Sequence, residues 1–420
     1  MTAGLTARLD RVLGARLPGP PDGLRRGPFR SGAFGSPLHS ERRAARTGAF
    51  LGVAFTVCFL TGLISHGIQH PPGWFPWPAS PAWLYRATQG THVATGLASI
   101  PLLLVKLWTV YPKLFEWPPA QSPARAVSRL SILVLVGAAT MQLVTGLINI
   151  SEWYPWAFFF TTTHYWTGWI AIGAVAVHVA AKAPQIRRGL ARRGSAAAVA
   201  GLTPDQAAEV HAVDDAAEGN PVPRRAFVAA AGLGVAAVTL TTVGQTLSPL
   251  SPVSLLSPRV PGVGPQGLPV RQTAHRAGVT DVGEDYRLVV EGPDRLELSL
   301  ADLAQFPQRT ERLPITCVEG WSATATWTGV RLGDVLEAAG LPRDTQVTVQ
   351  SLQTGGLYRV STVAPPHARS PRTLLATGLD GSVLDPDHGY PVRLIAPNRP
   401  GVMQTKWVTR VAPGGRGIGS

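Results

Sequence analysis

Residues 130–150 read LSILVLVGAATMQLVTGLINI, Leu130 to Ile150, without one charged side chain. A helix rises about 1.5 Å per residue, so a run of this length covers the ~30 Å hydrocarbon core of a bilayer. One such run also suits a buried helix of a soluble protein. Four more make that reading strained. Gly48 to Ser65, Thr163 to Ala181 and Phe227 to Leu247 are charge-free, and His92 to Val110 holds only Lys106. The composition agrees: of 420 residues only 15% are charged, against roughly 25% in soluble proteins.

The charges between the runs set an orientation. Residues 1–47, the loop around 106–129 and the loop 182–225 carry twenty Lys and Arg, whereas loops 66–90 and 151–162 carry only Arg86. By the positive-inside rule the first set is cytoplasmic. Five spans then put the C-terminal part outside the membrane. Trp74, Trp77, Trp83, Trp153 and Trp156 crowd the outer loops, as interfacial aromatics do. The net charge of +13 thereby becomes mostly topological, and nucleic acid is not an expected partner.

The expected organisation is multi-domain. Residues 1–47 form a disordered basic cytoplasmic tail and 48–182 a four-helix transmembrane domain. A cytoplasmic linker covers 183–225, a fifth transmembrane helix 226–247 and an extended Pro/Ser linker 248–270. From 271 to 413 the texture changes to short β-rich stretches, such as Tyr286–Val290, Gln346–Ser351, Leu357–Val363 and Pro391–Ile395. Asp380-Gly381 is a turn signal, and Arg331–Ala339 reads as a short amphipathic helix. The fold class is therefore an all-α membrane bundle with an anchor helix, followed by a mixed α+β, mainly β, domain.

Histidines in apolar spans are costly without a partner and are functional candidates. His92 opens the second span and His164 the fourth, both near the outer surface. His178 follows His164 by fourteen residues on the same helix, which returns it to about the same face roughly 21 Å away. Such spacing suits haem irons near the two leaflets, each between two histidines. His92 with His164 is the outer pair. His178 has only His39 as an upstream partner for an inner site. His66 and His70 are an alternative outer ligand or a quinol pocket, or simply wet interfacial residues. This region, residues 45–185, resembles the four-helix di-haem cytochrome b subunits of bacterial quinone-linked oxidoreductases. The resemblance implies haem b, one or two per chain, and exchange of electrons with a quinone pool. Those relatives carry a histidine where this chain has Thr47-Gly48-Ala49-Phe50.

Arg224-Arg225-Ala226-Phe227-Val228 precedes the fifth run and looks like an internal twin-arginine export signal. Two cations flanking a cytoplasmic helix end give the same pattern.

There are two cysteines, Cys58 and Cys317, too few for a disulfide scaffold or a four-cysteine metal site. Cys58 lies within the first span. Cys317 stands alone outside the membrane, in Leu313-Pro314-Ile315-Thr316-Cys317-Val318-Glu319-Gly320-Trp321-Ser322. A lone cysteine is usually a small buried apolar residue. One that persists in an oxidising compartment is also a candidate ligand for a soft metal.

This stretch resembles the molybdenum-binding core of the sulfite oxidase family, and of its bacterial periplasmic members most closely. The resemblance continues through Trp327-Thr328-Gly329-Val330-Arg331-Leu332, Asp334-Val335-Leu336, His388-Gly389-Tyr390-Pro391-Val392-Arg393-Leu394 and Lys406-Trp407-Val408-Thr409-Arg410. It implies molybdenum carried by molybdopterin, with Cys317 as the catalytic protein ligand to the metal. It also implies pterin or phosphate contacts from His388, Arg393 and Lys406, with Arg271, Gln272 and Ser351 near the cofactor. A bidentate guanidinium suits phosphate. The loop at 398–405 departs from the aromatic-Gly-aromatic pattern of the nearest relatives. Arg369, Arg372 and Arg399 are the cations available to an anionic substrate such as sulfite.

The expected function is a membrane-anchored molybdenum oxidoreductase of the bacterial inner membrane, N-terminus cytoplasmic and catalytic domain outside. It transfers an oxo group to or from a small substrate, with reduction favoured. Its electrons pass through the haem domain to or from quinone or another donor. Two alternatives stay open. One is a non-catalytic sensor or assembly module that keeps the fold. The other is a molybdenum enzyme whose membrane part is only an anchor.

Overall fold

The computed structural model describes residues 39–115, 123–191, 224–280 and 282–414. Most of the expected basic tail and of the linker 183–225 lies outside these residues. Among the described residues five helices are long and apolar enough to cross a membrane. They are α1 (Glu41–Gln69), α2 (Leu84–Val110), α3 (Pro123–Ser151), α4 (Phe160–Leu190) and α5 (Arg224–Val243). Each overruns all or part of its charge-free core, because a helix continues into polar turns until its backbone finds caps or water.

The chain divides into two compact units, one of Met1–Phe59 and Ala94–Thr239, the other of Leu60–Val93 and Leu240–Ser420. In the first, α3 and α4 pack as neighbours. Gln142 donates from Nε2 to the His164 carbonyl at 2.6 Å, and Thr145 Oγ1 lies 2.9 Å from His164 Nδ1. The start of α1 meets the end of α4, where Arg42 donates to the Ala191 carbonyl at 2.9 Å. Lys106 donates its ammonium to the Ala44 carbonyl at 2.6 Å, which satisfies the one cation of the second apolar run.

The second unit is built on two sheets. Its elements in chain order are β1 (Leu288–Val290), β2 (Leu296–Leu298), α6 (Leu300–Gln305), β3 (Gln308–Thr316), β4 (Ser322–Arg331), α7 (Leu332–Ala338), β5 (Val347–Ser351), β6 (Val360–Val363), α8 (Pro365–Ala368), β7 (Leu374–Leu379), β8 (Ser382–Val383), β9 (Arg393–Ile395) and β10 (Val408–Pro413). One sheet runs β2-β1-β10-β5-β6. The other runs β3-β4-β7-β8, with β9 also on β7. Among the described strands β1 and β10 pair in parallel and the other strand pairs are antiparallel, with one isolated parallel bridge from Thr316 to Pro400. The strand and helix expectations at 286–290, 331–339, 346–351, 357–363 and 391–395 all fall on elements, shortened at their ends. Asp380 and Gly381 take φ of 46° and 82°, the left-handed pair that a two-residue hairpin turn needs.

Inward residues of the first sheet, among them Leu288, Val290, Val347, Val349 and Val411, pack with Leu332, Val335 and Leu336 of α7. A second apolar cluster joins Leu313, Trp327, Leu374 and Leu379 to Cys317 and Trp321.

Residues 248–270, expected as an extended linker, are instead tied down. They form 3₁₀ turns at Ser248–Val253 and Pro265–Gly267, and Leu268 is buried. Ser257 donates to the Thr242 carbonyl at 2.7 Å, and Arg259 pairs with Glu319 at 2.9 Å. Composition marks such a stretch as turn-rich, but its buried partners lie far along the chain.

Candidate functional site

β3 and β4 form a hairpin whose connection, residues 317–321, carries the cysteine. Cys317 N–H donates to the Trp321 carbonyl at 2.9 Å, and Gly320 N–H donates to the Cys317 carbonyl at 3.1 Å. Thr316 and Ser322 close the neck with hydroxyls 2.8 Å apart. Gly320 sits at φ +97°, a conformation that side chains rarely adopt. Glu319, 1% exposed, is held between Arg259 and Arg271, each at 2.9 Å. Two short segments brace the loop from behind. The Gln89 amide donates to the Val318 carbonyl, Thr246 Oγ1 to the Gly320 carbonyl at 2.5 Å, and Ser322 N–H to the Gln245 carbonyl at 2.7 Å.

The thiol is buried and lines a cleft that also takes in Arg271, Gln272, Arg393 and Lys406. Burial pushes the Cys317 thiol up to about 12, and the Glu319 carboxylate adds to the shift. That is the thiol of the protein alone, since a coordinated metal displaces the proton.

The opposite wall is cationic. Arg393, on β9, is 3% exposed and donates from Nη1 to the His388 carbonyl at 3.0 Å. Its guanidinium lies 5.3 Å from the Trp327 ring centroid, and its Nε has no partner. Burial pulls it down to about 9. Lys406 donates to the carbonyls of Gln272 at 2.9 Å and Asp387 at 2.5 Å. Burial, then the charge of Arg393, lowers the Lys406 ammonium well below its ordinary range. Gly389 makes room here: at φ +110°, a Cβ would lie 3.0 Å from Lys406 Cβ.

Two buried cations whose hydrogen bonds go to carbonyls are expensive: neither forms an ion pair among the described residues, and the Asp387 and Asp385 carboxylates offset the burial of Lys406 only in part. Such a pair fits an anionic ligand, and the adjoining thiol fits a soft metal. The donor set therefore suits molybdopterin: Cys317 for the metal, Arg393 and Lys406 for the anionic part.

The other residues singled out in the sequence take varied places. His388 is buried and its Nε2 donates to the Pro265 carbonyl at 2.6 Å, so its carbonyl rather than its ring meets Arg393. Ser351 donates to the Lys406 carbonyl at 2.8 Å and does not line the cleft. Arg369 caps the carbonyls of Gly333, Leu341 and Pro342, Arg372 pairs with Glu311, and Arg399 donates to those of Thr362 and Met403. None of these three arginines lines the cleft. The His66 and His70 rings lie 4.8 Å apart between centroids, tilted by 41°. They and His92 belong to the second unit, whereas His39, His164 and His178 belong to the first. His39 lies 3.3 Å from the Thr109 carbonyl, beside Trp108.

Tyr358, Gln353, Gln404 and Trp407 line the cleft as well. Trp407 follows Lys406 within a quoted motif, but Tyr358 sits in a Gly-rich turn with nothing around it to mark a site.

Residues 275–413 match the family described as oxidoreductase molybdopterin binding domain. The mitochondrial sulfite oxidase of Rattus norvegicus is 33% identical over 175 residues, which is 34% of this chain and 32% of that protein. The sulfite oxidase of Gallus gallus is 35% identical over 157 residues, 30% and 34% of the two chains. The protein-methionine-sulfoxide reductase catalytic subunit of Xanthomonas campestris pv. campestris is 36% identical over 128 residues, 27% and 39% of the two. The chain thus spans about a third of the length of the curated relatives it matches. A sulfane dehydrogenase from Paracoccus pantotrophus overlaps 38% of this chain and 45% of its own, at 24% identity and a TM-score of 0.33. The sheet domain with the Cys317 cleft is a molybdopterin-binding oxidoreductase domain of the sulfite oxidase family.

Proposed function

We propose that this protein is a membrane-anchored molybdenum oxidoreductase that works outside the bacterial inner membrane and exchanges electrons with quinone through haem b. The observation that carries the enzyme reading is the buried Cys317 thiol sharing a cleft with Arg393 and Lys406, two buried cations that form no ion pair among the described residues. When bound, the cofactor supplies two-electron oxo transfer. Cys317 ligates its metal. Arg393 and Lys406 hold its anionic end, and Trp321 and Trp407 narrow the cleft against water. Tyr358 faces the space left to substrate.

Reduction of a neutral oxo-donor is the favoured direction. Arg369, Arg372 and Arg399, the arginines considered for sulfite, are bonded elsewhere, and Arg271 in the cleft is engaged by Glu319. Likeness to a methionine-sulfoxide reductase subunit supports the same choice. The membrane part rests on five apolar helices and on the uneven distribution of Lys and Arg between loops. His92, His164, His178 and His39 are the proposed haem residues, with His66 or His70 as a replacement for an outer one.

Molybdenum content and an oxidised-minus-reduced spectrum, recorded on one sample purified from membranes, test the reading. Stoichiometric molybdenum with a b-type band is expected. Molybdenum near zero overturns the enzyme. Molybdenum without the band leaves an anchored enzyme with no haem route. Cys317→Ala is expected to abolish turnover while the domain still folds, as judged by its melting curve; wild-type turnover contradicts the assigned ligand.

A further inference from the structure

Tyr358 reaches the cleft from one side and the end of α1 from the other. Its hydroxyl lies 2.8 Å from Gln69 Oε1. The amide nitrogen of Gln69 lies 3.1 Å from the Ser65 carbonyl and 3.2 Å from Ser65 Oγ. A carbonyl only accepts, so the Gln69 atom facing it is the NH₂ group. The atom facing Tyr358 is then the amide oxygen, which also only accepts. A phenol has one proton, and here it must be given to Gln69. What Tyr358 has left for the cleft is a lone pair.

Gln69 is itself held firmly. Ile68, Tyr85 and Met403 form a buried cluster, with Tyr358 and Val402 packed against it. Asn398 clamps the same segment. It accepts from Tyr85 N–H at 2.6 Å through Oδ1, donates from Nδ2 to the Pro78 carbonyl at 2.6 Å, and accepts from Trp77 Nε1 at 2.7 Å through its own carbonyl.

We infer that Gln69 is a positioning residue for the substrate site: it orients Tyr358 and commits the phenol proton, so that the end of the first apolar helix helps to shape the cleft. The inference rests on the oxidoreductase reading above for its kinetic consequence, but not for the contact itself. A bound substrate meets an acceptor at Tyr358 rather than a donor. Removing the Gln69 acceptor frees the proton to point into the cleft, which changes substrate binding more than the chemical step.

The test is a double-mutant cycle of Gln69→Leu and Tyr358→Phe in the full-length, metal-loaded protein. A neutral hydrogen bond of ordinary strength corresponds to about a fivefold change. Gln69→Leu is expected to shift KM about fivefold with kcat within about twofold, and to shift neither once Tyr358 is Phe. The probes are methionine sulfoxide with a reduced viologen dye and sulfite with ferricyanide, whichever the wild type turns over. Thermal melting of the same four proteins is the second readout. The double variant is expected to melt no lower than the worse single one. Equal KM shifts in both backgrounds, or fully additive melting shifts, overturn the inference. If the wild type holds no molybdenum, the enzyme reading falls, and the melting cycle alone decides the Gln69–Tyr358 pairing.

Discussion

Gly320 is the position where one added methyl group tests the geometry of the cysteine loop. Its φ of +97° lies outside the region open to an L side chain. A Cβ built there would also stand 2.7 Å from Val93 Cγ2 and 3.1 Å from Val93 Cβ. Backbone strain of this kind costs about 1–3 kcal/mol, and overpacking costs about 1–3 kcal/mol more. For a unit of this size each kcal/mol moves the melting temperature by roughly 2–4 °C. Gly320→Ala is therefore expected to lower the transition of the sheet unit by on the order of 10 °C. Because the same residue bonds the Cys317 carbonyl and Thr246, molybdenum retention is expected to fall with it. Scanning calorimetry in detergent, with metal analysis before and after heating, is the assay. Adding Val93→Ala removes the two γ-carbons but not the backbone strain, so it is expected to restore part of the loss. A Gly320→Ala protein that melts within about 2 °C of wild type would refute the reasoning. Full restoration by Val93→Ala would show that the clash alone matters and the backbone conformation does not.

Three further outcomes follow from the same structure. Arg393→Met removes the desolvation cost of a buried cation that forms no ion pair among the described residues, against the loss of a hydrogen bond worth about 1 kcal/mol. The cofactor-free variant is expected to melt no lower than wild type while losing molybdopterin on gel filtration; retention of cofactor contradicts the role given to Arg393. Asn398→Ala removes two side-chain hydrogen bonds at a residue with φ of 57°, a loss of about 2 kcal/mol, and Asn398→Gly, which keeps the left-handed backbone, is expected to melt higher than Asn398→Ala. His367, 4% exposed, is pulled from 6.5 to about 3 by burial and then by Arg399. The unfolded chain binds that proton below about pH 6.5 and the folded one only below about 3, so stability falls as pH drops through this window and levels beneath it. The loss is on the order of 5 kcal/mol. Thermal melts from pH 7 to 3 check it: His367→Gln should show a shallower decline than wild type, and an unchanged slope rules the residue out.

What the chain disclosed in advance follows from the range of the interactions involved. The five apolar helices were legible because avoidance of charge is a property of each run by itself. Cys317, Arg393 and Lys406 were legible because each sits in a run of distinctive neighbours, and the fold brings the three to one cleft. Tyr358 and Gln69 were not, since they lie 289 residues apart. The Asn398 clamp spans 313 residues to Tyr85. Ser351 is a case that sequence cannot resolve: its hydroxyl is expected near the cofactor, and in the fold it donates to the Lys406 carbonyl. β3 gave little alternation to read, because it is mostly exposed along its first half.

The charges around the cleft divide into two sets with different duties. Arg259 and Arg271 converge on the buried Glu319 carboxylate, so the cysteine loop carries its own counter-ions. Breaking such a buried pair leaves an uncompensated charge, which makes the loop costly to move. Arg393 and Lys406 hydrogen-bond to carbonyls and form no ion pair among the described residues, and Asp387 and Asp385 compensate Lys406 only in part, so the far wall has positive charge to offer whatever enters. The thiol side is thus fixed before any ligand arrives, while the cationic side gains most of its compensation from the ligand. A metal ligand held in place and a charge left unpaid are together what a tightly held anionic metal cofactor requires: the first supplies coordination geometry without reorganisation, and the second converts the cost of burying two cations into affinity for the cofactor.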